Sequence, residues 1–380
     1  CFAQFERRSA VDPLVAEFDR FVAGGGLPLR QFAVFEAIAA AHPCVPWQRW
    51  PDSLRRPDAS GVADFAGRHA RGVRRALYLQ WLADRQLAAA DSHARASGLT
   101  WGFFRDLALG AAPDGAEPWA SPGAYALGAS IGAPPDAFSP TGQNWNLPPP
   151  NPVAMSASAC AGFRDVLVAN MRHAGALRID HAMGLSRLFW IPAGAAAADG
   201  AYVRYPLDAL LGVLSIESVR ARCLVVGEDL GTVPEGFRER LAAADVLSSR
   251  VLWFERDGAA FVDASRYPAK AAACVSTHDL PTVAGWWTGA DVDEKEALGL
   301  LTAEAADAER AERLASKQAL AAALERAGVA PDEHVDGAAP HDVAITAAVH
   351  RFVCASPSAL VMIQADDLAG EATAANLPGV

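Results

Sequence analysis

The sequence predicts an α/β protein built on parallel strands, and three observations predict it. Six short apolar runs read as strands: 99–104, the run starting at Ala176, the run starting at Cys223, 250–255, the run starting at Ala273, and 359–364. Helical patterns lie between most of them, the arrangement of a parallel sheet with right-handed crossovers. Three of the runs finish on acids next to a turn former, at Asp180 before Gly184, at Glu228-Asp229 before Gly231, and at Asp279 before Pro281. The acids are evenly spaced, with 228 − 180 = 48 and 279 − 228 = 51 residues between them. Six runs fit either an open doubly wound sheet or a barrel. Acids at strand ends, with Asp106 and Asp366-Asp367 added to the three, favour the barrel, whose active sites are assembled from successive strand ends.

Residues 176–194 are the centre of this pattern. Side chains two apart on a strand share a face, so Arg178 and Asp180 point the same way, with His181 at the strand's end. An arginine beside an aspartate favours the ionised carboxylate that a nucleophile or a charge stabiliser needs. A structural ion pair would look the same over this stretch alone. The repetition of the pattern at Glu228 and Asp279 tips the reading towards one pocket.

At 380 residues, with 52% hydrophobic and 20% charged residues, the chain has the composition of a globular protein with a large core. A net charge of −11 disfavours nucleic acid or an anionic membrane surface as partner, and a neutral substrate is compatible with it. No apolar run reaches membrane-spanning length and no signal peptide is recognisable. The six cysteines, at 1, 44, 160, 223, 274 and 354, show no metal-ligand spacing. Cys160, Cys223 and Cys274 lie in apolar stretches as small hydrophobes, and a reduced, cytoplasmic protein is expected.

Residues 5–96 read mostly as helix. Leu29, Phe32, Phe35 and Ile38 have amphipathic spacing over 27–42, a Pro/Trp connector follows, and one long helix is expected over 62–96. Arg71, Arg74 and Arg75 are read as a solvated face of that helix, and the tryptophans of residues 5–96 as core. Residues 110–152 read as one long Gly/Pro-rich loop, a length that points to function. In it Gln143, Asn144 and Trp145 suit sugar recognition, with amides for hydroxyls and an indole face for stacking. Further helices are expected at 155–172, 207–222, 293–327 and 341–355, with a connector at 331–340; the charges of 293–327 are read as a solvated surface. No repeat at a solenoid period is present.

Three motifs then become specific as a set. Leu177-Arg-Ile-Asp-His181, Val226-Gly-Glu-Asp-Leu-Gly231 and Thr277-His-Asp279 together resemble the 4-α-glucanotransferases, or amylomaltases, of glycoside hydrolase family 77 in the α-amylase superfamily. The loop elements Gly132-Ala-Pro-Pro-Asp136 and Gly142-Gln-Asn-Trp145 resemble the same family, where they overhang the donor site. Asn146 stands where the family usually has Gly; if that backbone needs positive φ, Asn is the least costly replacement. The resemblance covers about residues 27–380.

The resemblance implies a (β/α)8 TIM barrel with large helical and loop insertions. It places Asp180 as nucleophile, Glu228 as general acid/base and Asp279 as transition-state stabiliser on the fourth, fifth and seventh strands. Residues 1–98 match a helical insertion of longer bacterial forms, and 99–380 would be the catalytic barrel portion, strands three to eight, with 110–152 as sugar-binding loop. No strands one and two are legible before Phe104. The chain is therefore expected to be an incomplete barrel from a longer enzyme, poorly soluble and inactive by itself. The substrates implied are maltooligosaccharides and α-1,4-glucans, contacted by Arg178, His278, Gln143, Asn144, Trp145, Phe254 and Asn376.

The implied mechanism is a retaining double displacement, which calls for Asp180 and Glu228 carboxyls about 5 to 5.5 Å apart. It requires neither metal nor cofactor. A hydrolase of the same superfamily would use the same acids with water as acceptor. A metal-dependent hydrolase built on Asp180, His181, Glu228, His278 and Asp279 is disfavoured, because no HxH or HExxH pair is present. A glucan-binding module or inactive fragment is the remaining alternative.

Overall fold

Residues 1–98 form helices and turns with no strand, as their apolar spacing predicts. In the computed structural model, which describes residues 1–135, 141–331, 341 and 343–377, the chain divides into two compact units, Cys1–Val225 and Val226–Val380. Asp136 and the connector 332–340 lie outside the described residues.

After a single helical turn, Phe2–Phe5, the first unit continues with a long helix, Pro13–Ala41. The Asp12 side chain accepts from the Leu14 N–H at 2.9 Å and Pro13 occupies the first turn, where its missing N–H costs nothing. Pro28 would clash with the carbonyl four residues back, and the helix kinks just before it at Gly26, φ 54°. The single helix expected over 62–96 is in fact two, Ser60–Arg68 and Ala70–Ala96. The chain turns at His69, whose ring stacks on Phe65 with centroids 3.9 Å apart. Trp47, Trp50 and Trp119 are buried with Phe35 and Phe65, and Trp81 with Phe5, Phe18 and Tyr78, so these tryptophans are core. Arg71 pairs with Glu6 at 2.9 Å and Arg74 lies over the Phe18 ring at 4.9 Å.

The first strand, β1 (Phe104–Leu107), starts later than expected. Left-handed backbone at Gly98 (φ 95°) and Gly102 (φ 64°) interrupts the run before it, and Leu99 and Trp101 stay exposed. The expected loop 110–152 contains two strands, β2 (Ala129–Ala133) and β3 (Gln143–Leu147). β4 (Ala176–Ile179) pairs in parallel with β1, with Asp106 opposite Arg178. A Cβ at Gly175 would lie 1.6 Å from the Trp101 carbonyl oxygen, so only glycine fits that approach. β5 (Arg187–Pro192) and β6 (Ala201–Arg204) join β2 and β3 in an antiparallel sheet of order β3-β2-β5-β6, which the sequence reading missed.

The helix expected at 155–172 is two helices, Pro152–Ala157 and Ala161–Met171, broken where Ala159 and Cys160 take positive φ. The last strand to begin in this unit is β7 (Leu224–Gly227), whose Leu224 N–H donates to the Gly175 carbonyl at 2.9 Å.

In the second unit, the end of β7 pairs in parallel with β8 (Leu247–Val251). A short hairpin follows, β9 (Arg256–Asp257) and β10 (Ala260–Phe261). β11 (Ala271–Cys274) lies between β8 and β12 (Leu360–Met362), parallel to both. β8 begins three residues earlier than expected and ends in a 3-10 turn, Leu252–Phe254. That turn lays Trp253 flat on Trp286, centroids 4.5 Å apart. All four β11 residues are buried, and helix Val343–Cys354 covers this core with Ile345, Val349 and Phe352. The charged stretch 293–327 gives helices Ala290–Ala297 and Ala303–Arg326. It is not all solvated: buried Arg313 grips buried Asp291 through two 2.9 Å hydrogen bonds.

The six cysteines form no disulfide with one another, and Cys160, Cys223 and Cys274 are buried as expected. Burial pushes the Cys223 thiol up to about 11. Among the described residues no helix is long and apolar enough to cross a membrane.

Candidate active site

In the first unit the site starts from β4. Ala176, Leu177 and Ile179 are buried and drive the strand, while Arg178 faces away from Leu177 and Ile179, on the side it shares with Ala176. The Asp180 N–H donates to the Leu107 carbonyl at 3.1 Å, so Asp180 follows directly on the parallel pair. Arg178 Nη1 lies 2.8 Å from Asp180 Oδ1 and 2.7 Å from Asp106 Oδ2. One half-buried guanidinium thus holds two carboxylates through charge-assisted contacts. Asp106, whose strand end was legible but whose role was not, is the group that fixes Arg178 from the neighbouring strand. Replacing it by Asn is expected to lower kcat roughly 10- to 100-fold through misplacement of Arg178. The melting temperature should move little, because Asp106 is the exposed partner of the pair and Arg178 keeps Asp180. Kinetics and a thermal melt of Asp106→Asn check this; an unchanged kcat contradicts it.

The loop residues are placed by β3. Trp145 stacks on His181, centroids 4.7 Å apart and planes 25° from parallel. The Trp145 Nε1–H donates to Gln143 Oε1 at 2.9 Å. Asn144 Oδ1 accepts from the Ser130 hydroxyl and, at 2.9 Å, from the Asn146 N–H, so it ties the strand together. Asn146 has φ 55°, the left-handed conformation expected of an Asn in place of Gly. His181 is left-handed too, at φ 45°, which turns its ring onto Trp145.

In the second unit, Glu228 follows β7 and is buried, its Oε1 accepting the Leu230 N–H at 2.9 Å. Its neighbour Asp229 is fully buried and satisfied. It accepts from Arg238 Nε at 2.9 Å, from the Ser249 N–H at 2.9 Å and from the Ser248 hydroxyl. A buried carboxylate is tolerated only with such partners, and here they pin the Glu228-Asp229 turn to β8. Phe254 is 52% exposed on the turn after β8. The next residue, Glu255, is held above its ordinary range by burial, against the pull of Arg250.

Asp279 lies five residues past the end of β11. Its Oδ2 is 3.3 Å from His278 Nε2, and its Oδ1 accepts from the Asn376 side-chain amide at 2.6 Å. The Asn376 N–H also donates to the His278 carbonyl at 2.9 Å. The structure therefore groups Arg178 with Asp180 and Gln143 with Trp145 in one unit, and His278, Asp279 and Asn376 in the other. Asp106, His181 and Asp229 are the supporting residues that sequence reasoning left without a role. Only strand register and turn geometry reveal them.

Each of the three acids thus stands just beyond the carboxyl end of a parallel strand, on a backbone fixed by hydrogen bonds. The family model described as 4-alpha-glucanotransferase matches residues 1–380. A 4-alpha-glucanotransferase of Mycobacterium tuberculosis is 42% identical over 359 residues, covering 93% of this chain and 49% of the relative. One from Haemophilus influenzae is 37% identical over 390 residues, covering 99% of this chain and 56% of the relative. The chain spans about half the length of these curated relatives. The crystal structure of amylomaltase from Corynebacterium glutamicum matches all of this chain and 52% of its own, with a TM-score of 0.86 at 32% identity. An amylomaltase from Streptococcus agalactiae, solved with acarbose, matches with a TM-score of 0.78 at 21% identity, covering 97% of this chain and 69% of its own. The fold class is that of these proteins, α/β with the parallel strands of an amylomaltase barrel. With its motifs, its parallel strands and a family match over its whole length, this chain belongs to the 4-alpha-glucanotransferase family.

Proposed function

We propose that this chain carries the catalytic residues of a retaining 4-α-glucanotransferase acting on maltooligosaccharides and α-1,4-glucans. The observation that carries the reading is the placement of Asp180, Glu228 and Asp279, each in its own motif just past a parallel strand. Asp180 attacks the anomeric carbon of the donor while Glu228 gives its proton to the departing 4-oxygen, leaving a β-linked glycosyl ester on Asp180. The 4-hydroxyl of an acceptor sugar then loses its proton to Glu228 and attacks the ester carbon, restoring the α-linkage and freeing Asp180. Asp279 stabilises the positive charge that builds on the sugar ring between these states. Arg178 holds the Asp180 carboxylate in place and orients it. Gln143, Asn144, Trp145, His278, Phe254 and Asn376 contact the sugars, the first three from the 110–152 loop.

In this reading residues 1–98 are a helical subdomain and 99–380 the barrel portion. The enzyme works in the cytoplasm, in glucan and maltose metabolism, where its cysteines stay reduced.

Incubating the whole protein with maltotriose tests the reading. A ladder of longer maltooligosaccharides with glucose is expected. Glucose and maltose alone would make it a hydrolase, and no change would make it a binding module.

A further inference from the structure

We infer that residues 367–376 act as a positioning strap for Asp279, anchored by the buried pair His350–Asp367; the inference rests on the role proposed for Asp279. The contacts run in sequence along the strap. His350, on helix Val343–Cys354, and Asp367, on helix Ala365–Ala369, are both buried, with Nε2 and Oδ2 2.9 Å apart. The other Asp367 oxygen accepts the Val283 N–H at 2.7 Å. Val283 opens the helix Val283–Thr288 that directly follows the Asp279 loop. Beside it, Thr282 donates its hydroxyl to the Glu371 carbonyl at 2.6 Å and accepts the Gly285 N–H at 3.0 Å. Gly285 lies so close to the strap that a Cβ there would sit 2.2 Å from the Ala372 carbonyl oxygen. At the far end Asn376 reaches the His278 carbonyl and Asp279 Oδ1.

These contacts have a common consequence. The Asp279 side chain is 39% exposed, and its carboxylate direction is set by His278 and Asn376. Asn376 is held where it is by the strap, and the strap by Asp367. A buried carboxylate must find partners or leave the interior, and here one oxygen takes a helix amide and the other an imidazole. The pair therefore fixes the strap's starting point. Gly285 sets how closely the strap can lie, and Asn376 transmits that position to Asp279. His350, Asp367 and Gly285 are positioning residues; none of them touches Asp279.

The test compares His350→Leu, His350→Gln and Gly285→Ala in the whole protein, with Asp279→Asn as reference. Rates are measured per active site, counted by trapping the glycosyl ester with a fluorinated glucosyl donor, so that loss of folded protein does not count as loss of rate. Asparagine-selective isotope labelling follows the Asn376 side-chain amide, assigned by its loss in Asn376→Ser. His350→Leu and Gly285→Ala are expected to lower kcat per site on the order of 100-fold, the effect of a catalytic group displaced by about 1 Å. KM should stay unchanged and the Asn376 amide signals should move. His350→Gln keeps a donor facing Asp367 and should recover most of the rate. Wild-type kcat per site in both His350→Leu and Gly285→Ala, or an Asn376 amide unmoved in Gly285→Ala, overturns the strap. If Asp279→Asn itself keeps its rate, the role proposed for Asp279 is wrong, and the Asn376 signals alone then decide the strap.

Discussion

Asp180→Asn is expected to reduce glucan transfer by roughly 10⁴- to 10⁶-fold, the scale on which a covalent nucleophile's removal is felt. Asn has nearly the same shape as Asp, and the Asp180 backbone is held by the Leu107 carbonyl, so the local fold should survive. What is lost is the negative oxygen that forms the bond to the anomeric carbon. The Arg178 guanidinium keeps Asp106 as its partner, which limits the stability change. Maltotriose disproportionation together with a thermal melt checks both halves of this statement. Appreciable transfer by a folded Asp180→Asn variant would remove Asp180 from the chemistry.

The second large effect is expected at Glu228. Glu228→Gln removes the proton donor and acceptor without changing the size of a buried side chain. The loss should be about 10²- to 10⁴-fold, the usual contribution of general acid–base catalysis. It should also depend on the leaving group. A glucosyl fluoride, whose fluoride leaves with little protonation, should form the ester on the variant at close to the normal rate, while maltotriose should not. An equal loss with both donors would mean that Glu228 does not protonate the leaving oxygen.

Much of the site was legible because its strands announce themselves. β4 and β7 are short apolar runs that stop at an acid, and each lies where the sequence predicts it; β11 begins two residues before the predicted run and stops five residues short of Asp279. The left-handed Asn146 was legible for a local reason, since Asn replaces a residue type chosen for positive φ. The antiparallel sheet was not. β2 carries one large apolar residue, Ile131, within small residues, so no alternation marks it, and its partner β5 lies far along the chain. The helix breaks at His69 and at Ala159-Cys160 are made by residues that helices ordinarily accept. The roles of Asp106 and Asn376 depend on tertiary pairing. Asp106 meets Arg178 only because β1 and β4 pair in one register, and Asn376 meets Asp279 from 97 residues away.

The most direct measurement is to trap the glycosyl-enzyme with a 5-fluoro-α-glucosyl donor and sequence the labelled peptide by mass spectrometry. A 5-fluoro substituent slows both displacements, and the good leaving group lets the first outrun the second, so the ester accumulates on whichever carboxylate attacks. The label is expected on Asp180, within the peptide containing Arg178-Ile-Asp-His181, with a β-anomeric linkage. A label on Glu228, on Asp279 or on any other side chain would contradict the account at its centre.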